Sequence, residues 1–213
     1  MLLRLALRFS FSLLVVLAAT GDDSSQTVNF HDDALGFTYS YPASFEEKPG
    51  AQKTLDEIKQ GTGDSGLKQT VSCIRIPLRL KGKTEQPYER LLLVETNYDC
   101  MQKSLPPHYV EHFARLSMMS LMGVYGEIKL DQPQTYDLDG HEAAFISGKA
   151  EASSIRPDMT LYAAQSCARV THTMVCWNIL SSDKTRLPIL LAGQIRFDES
   201  SNQRLFPAQL IPN

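Results

Sequence analysis

The sequence carries little surplus charge. Its 21 lysines and arginines stand against 24 aspartates and glutamates, a net charge of −3 over 213 residues. That balance gives no electrostatic case for nucleic acid or for an anionic membrane surface, since both call for a cationic excess. There is no internal repeat, which excludes the repeat architectures. There is no Cys-X-X-Cys, the spacing that depresses a thiol pKa in redox sites. Only one long apolar run is present, Phe9–Ala19, about eleven residues, and spanning a bilayer takes roughly 20.

That run has a charged front and a small-residue exit. Arg4 and Arg8 precede it, and Ala18, Ala19 and Thr20 follow. This is the order of a secretory signal peptide. Residues 1–20 are therefore read as a signal helix, cleaved after Ala18 or Thr20. No cysteine lies near the cleavage region, which disfavours a lipoprotein anchor. The expected product is soluble, periplasmic or secreted, with no membrane span after cleavage. Residues 21–27 read as a flexible lead, 28–198 as a single domain and 199–213 as an irregular tail. With 43% hydrophobic and 21% charged residues the composition is that of a globular chain, long enough for one well-buried core.

All four cysteines, Cys73, Cys100, Cys167 and Cys176, lie in the exported part. An even count in an oxidising compartment points to disulfides. Residues 158–170 and 173–180 read as a hairpin. With Thr171-His172 as its turn, Cys167 faces Cys176 at a non-hydrogen-bonded position, where Cα atoms stand about 4.5 Å apart, within disulfide range. Cys73 then pairs with Cys100 by elimination, the two lying at the ends of neighbouring strands.

Along the chain, Val28–His31 and Leu35–Pro42 read as strands. In the second, Phe37, Tyr39 and Tyr41 alternate with Thr38 and Ser40. Residues 46–70 read as a surface excursion with one helical piece near Thr54–Gln60. Strands are expected at 72–80 and 89–97, then a helix over 107–124 opened by Pro106-Pro107. Its apolar face is Val110, Phe113, Ala114, Ser117, Leu121 and Val124. Strands near 133–138 and 143–151 flank the Asp139-Gly140 turn. The cysteine hairpin, a short helix around Lys184–Ala192 and a strand at Ile195–Phe197 complete the order. It predicts an α+β fold, an antiparallel β-sheet with helices packed on its faces.

The segment Gly36-Phe-Thr-Tyr-Ser-Tyr-Pro-Ala-Ser-Phe45 resembles the opening strand of PsbP-like proteins (the Mog/PsbP superfamily). The later order is similar as well: a central helix, then Leu138-Asp-Gly-His-Glu-Ala-Ala144, a tyrosine-containing hairpin and Ile195-Arg-Phe197. The resemblance covers roughly 28–198 and departs in the four cysteines and the polar excursion. It implies an α/β sandwich and, because members of that group mostly bind or help assemble other proteins, a non-enzymatic binding or accessory role. It implies no catalytic residue.

One constellation points to chemistry. His108-Tyr-Val-Glu-His112 matches H-x-x-E-H, in which two histidines one helical turn apart share a metal and the glutamate serves as base. His108 and His112 are thus candidate metal ligands. A zinc-dependent hydrolase is the sharper form of that reading, but no third ligand is evident, and both histidines fall opposite the apolar face. Met118, Met119 and Met122, with Met101, suit either a soft metal or gap-filling packing. No cofactor is implied. The reading that follows is an exported, non-enzymatic accessory protein whose partner is another extracytoplasmic protein, with metal binding as the alternative.

Overall fold

A computed structural model describes residues 26–103, 106–122, 127–151, 159–191, 193–198 and 203–206. The expected signal helix at 1–20, most of the expected lead and most of the expected tail lie outside these residues.

Two antiparallel sheets face one another. The smaller has the order β1 (Thr27–Asp32), β2 (Phe37–Pro42), β11 (Gln194–Phe197) and β12 (Gln203–Arg204). The larger runs β3 (Phe45–Glu47), β4 (Ile74–Gly82), β5 (Glu89–Asn97), β10 (Thr173–Ser181), β9 (Leu161–Val170), β8 (His141–Glu151) and β6 (Glu127–Leu130), with β7 (Gln134–Leu138) also pairing β8. Strand β10 is buried at every position, as a central strand covered on both faces must be.

The two faces of β10 serve two cores. Val175, Trp177 and Ile179 point toward the smaller sheet. There the alternation of β2 delivers Phe37, whose ring meets Trp177 edge-on at 5.5 Å, and Tyr39, at 6.4 Å. Met174, Cys176 and Leu180 point to the other face, under helix α3 (Tyr109–Met122). Helix α3 packs across β8 and β9, while α1 (Ala51–Gly61) and α2 (Ser65–Ser72) lean on β4. Asp64 caps α2 by accepting from the amides of Gly66 and Leu67. Beyond the hairpin, a 3₁₀ turn at Lys184–Arg186 runs into α4 (Leu187–Leu190), with Pro188 in its first turn.

The structure departs from expectation in four places. The excursion at 46–70 holds two helices, not one helical piece. Helix α3 begins at Tyr109, because His108 takes a left-handed φ of 58° that no α-helix accommodates. Its buried stripe is Val110, Ala114, Met118 and Met122, four residues apart, so the face is rotated toward the two methionines. The tail is not wholly irregular: β12 pairs β11, and Leu205 and Phe206 are fully buried, Phe206 against Phe145.

Both disulfides are present. Cys167 and Cys176 are register partners with Cα atoms 4.1 Å apart. Val170 pairs with Thr173, and Thr171 supplies the positive φ of the turn (53°). Cys73, just after α2, joins Cys100 at 5.5 Å. It ties the end of the excursion to the loop after β5.

Candidate functional site: an open groove on the helical face

Alternation along β4, β5, β10, β9 and β8 sends one set of side chains to the helical face. Under α3 that set is fully buried: Ala144, Ile146, Ala163, Cys167, Met174 and Cys176. Over β5 the cover stops. Ile76, Leu92 and Val94 are only half-buried, because α1 stands on β4 and α3 on β8 and β9, leaving a strip between them. The strip is an open groove of about 220 Å³. Thr54 and Leu55 of α1 form one wall, Leu121 of α3 the other, and Ile76, Leu92, Leu180 and Asn178 the floor.

Asn178 has a buried amide in that floor. Its Nδ2 donates to the carbonyls of Leu92 (3.0 Å) and Cys176 (3.1 Å). Its Oδ1 is buried with no hydrogen-bond partner, which is costly unless something donates to it.

One end of the groove is cationic. Arg79 and Arg90 line it, and Lys81 stands directly across from Arg90 in the β4–β5 register. Like charges at opposed positions destabilise a sheet. Among the described residues no carboxylate lies within ion-pair distance of Arg79, Lys81 or Arg90. Arg90 instead donates to the Glu89 carbonyl and lies over the Tyr88 ring, 4.2 Å from its centre. The nearby carboxylate is Glu46, already bridged to Lys48 at 2.7 Å and held below its ordinary pKa by that hydrogen bond and charge, with Lys81 and Lys83 adding to it. On a chain of net charge −3 this is a local reversal of sign.

A second charged cluster joins the two sheets. Arg75 of β4 donates Nε to Glu95 at 2.6 Å and Nη2 to Asp32 of β1. Both carboxylates are buried, and Glu95 Oε1 has no partner. Burial pushes Glu95 up to about 7 against the opposing pull of Arg75, and the charge of Asp32 adds to the rise.

The sequence-predicted metal residues are not brought together on a helix. His108 lies in the turn before α3, almost fully exposed, with Nδ1 3.5 Å from Glu142. His112 lies in the first turn of α3, its ring against Tyr109 at 5.4 Å. The one-turn spacing that a shared ion was expected to use is therefore not formed, and among the described residues no three His, Cys, Asp or Glu side chains converge on a point. Met118 and Met122 are fully buried packing residues, while Met119 is 48% exposed, so the thioethers point in different directions.

Sequence reasoning passed over Arg79, Lys81, Arg90 and Asn178. The signal lay in the outward positions of β4, where Arg79 and Lys81 flank buried Leu80, and in Arg90 at the head of an apolar strand.

Comparison with known proteins rests on shape. No family model and no curated protein matches the chain by sequence. The solution structure of cyanobacterial PsbP (CyanoP) from Synechocystis sp. PCC 6803 is similar, with a TM-score of 0.49, 13% identity, and coverage of 82% of this chain and 89% of that one. The Ran-binding protein Mog1p of Saccharomyces cerevisiae is a second similar structure (TM-score 0.45, 11% identity, covering 76% of this chain and 82% of that one). LpqN of Mycobacterium tuberculosis, described as involved in cell envelope biogenesis, is a third (0.42, 12%, 78% and 83%). The site stands on its own residues.

Proposed function

We propose that the chain is an exported, non-enzymatic accessory protein that binds another extracytoplasmic protein. The observation that carries this reading is the groove. In a fold whose other sheet face is closed by a second sheet, a strip of apolar floor stays open, edged by Arg79 and Arg90, which among the described residues have no carboxylate within ion-pair distance. Such a surface is suited to holding a partner. Two disulfides among the described residues fit an oxidising compartment. The leader read in residues 1–20 supports export, and the sequence resemblance to PsbP-like proteins is compatible with a binding role.

The test is affinity capture. Purified, disulfide-bonded protein is offered to the extracytoplasmic fraction of its native host. A single protein retained in near-stoichiometric amount at physiological salt is expected; retention of none overturns the reading.

The alternative of a metal held by His108 and His112, with its hydrolase form, would need one ligand from the turn and one from the helix. Zinc titration of the purified chain against a His108→Ala/His112→Ala variant decides it. The binding reading expects equal, weak uptake by both; one tight equivalent lost in the variant would favour the metal.

A further inference from the structure

We infer that the groove receives a short acidic–aliphatic peptide segment of the partner, with an aliphatic side chain over Leu92 and carboxylates on Arg79, Lys81 and Arg90. The inference rests on the reading of the chain as a binding protein and names the chemistry of what it binds.

Three observations select that chemistry. The floor is apolar and half-buried at Ile76 and Leu92, so it favours an aliphatic side chain by removing that surface from water. The cationic end has positive charge to spare: among the described residues Arg79 and Arg90 have no carboxylate within ion-pair distance, and Lys81 faces Glu46, which Lys48 already bridges. A partner's carboxylates would relieve the Lys81–Arg90 repulsion and form charge-assisted bonds, with Arg able to hold a carboxylate through two N–H groups. Strand β5 is paired on both sides, to β4 and β10. The segment therefore lies across the sheet face and does not add a strand to an edge.

The probe is a fluorescent peptide of alternating glutamate and leucine, with a control in which lysine replaces every glutamate. Both are titrated by anisotropy against the purified chain. The acidic peptide is expected to bind saturably and to weaken as salt rises. The lysine peptide is expected to bind at least tenfold more weakly. Arg79→Glu/Lys81→Glu is expected to lose at least tenfold in affinity, while Arg196→Glu, an exposed charge reversal on the smaller sheet, changes it less than twofold. Melting temperatures and Trp177 fluorescence establish that both variants are folded. Equal binding of the two peptides, no binding of the acidic one, or an unaffected double variant would overturn the assignment. So would uptake by phosphatidylglycerol vesicles without peptide binding, or a dimer of the chain that blocks the groove. Captured partner retained equally by wild type and the Arg79→Glu/Lys81→Glu variant would sink the groove and leave the binding function standing. Capture by neither would sink the binding function itself.

Discussion

Asp32 and Glu95 belong to different sheets and close on one guanidinium, that of Arg75. Burial first, and then the charge of Asp32 beside it, raise Glu95 to about 7 against the pull of Arg75. A carboxyl whose folded pKa exceeds its unfolded value holds its proton more tightly when folded. Its contribution to stability is therefore fully present at low pH and is lost as pH rises from about 4.5 through 7. The protein should gain on the order of 1–3 kcal/mol between pH 7.5 and 5 from this group. Glu95→Gln, which mimics the protonated carboxyl, should flatten that slope and be at least as stable as wild type at pH 7.5. Urea midpoints across the pH series measure both.

The two disulfides close loops of different length. Cys167–Cys176 spans 9 residues and Cys73–Cys100 spans 27. In the chain-entropy model the first contributes about 2–3 kcal/mol and the second about 3–4 kcal/mol. Paired Cys→Ala variants should both melt lower, with the Cys73/Cys100 variant losing more. Cys167 and Cys176 are also fully buried under α3, so packing loss brings the two effects closer together. Reversal of the order would show that packing outweighs loop closure.

Gly148 is required by a neighbour. A Cβ there would stand 2.6 Å from Leu130 Cδ2 and 2.8 Å from the Lys129 carbonyl. The second is backbone of the paired strand β6 and cannot step aside. Gly148→Ala should cost about 1–3 kcal/mol, seen as a lowered melting temperature and faster amide exchange in β6. Gly140→Ala, where no atom lies within 4 Å but φ is 81°, is strained by backbone alone, and should cost about 1 kcal/mol.

Trp177 is the single tryptophan and is fully buried between the sheets with its Nε1 unpartnered. Its emission should be blue-shifted and shift red on unfolding. Trp177→Phe forfeits no hydrogen bond and should be much milder than Trp177→Ala, which should cost about 3–5 kcal/mol. Near-equal losses would show that the indole's own shape, beside Phe37 and Tyr39, governs the site.

Much of the fold was legible because alternation and turn chemistry are local. Phe37, Tyr39 and Tyr41 declared the buried face of β2, and Thr171-His172 set the register that joins Cys167 to Cys176. The excursion at 46–70 was not, since α1 carries only Leu55 and Ile58 as large apolar residues and, of its described side chains, all but Leu55 are exposed. The start of α3 failed at His108, whose left-handed φ no periodicity reveals. The groove was illegible for a different reason. It is made by what α1 and α3 leave uncovered, and the distance between two helices is a tertiary quantity. Lys81 and Arg90 are nine residues apart in sequence and become neighbours only through the β4–β5 register.

The most direct test of the account is photo-crosslinking from the groove wall in the native host. A benzoylphenylalanine replaces exposed Thr54, and a second protein carries it at Asn29, exposed on the smaller sheet. The account predicts one discrete adduct with an extracytoplasmic protein from Thr54, suppressed by the glutamate–leucine peptide and absent from Asn29. No discrete adduct from Thr54, or the same adduct from both positions, would contradict it.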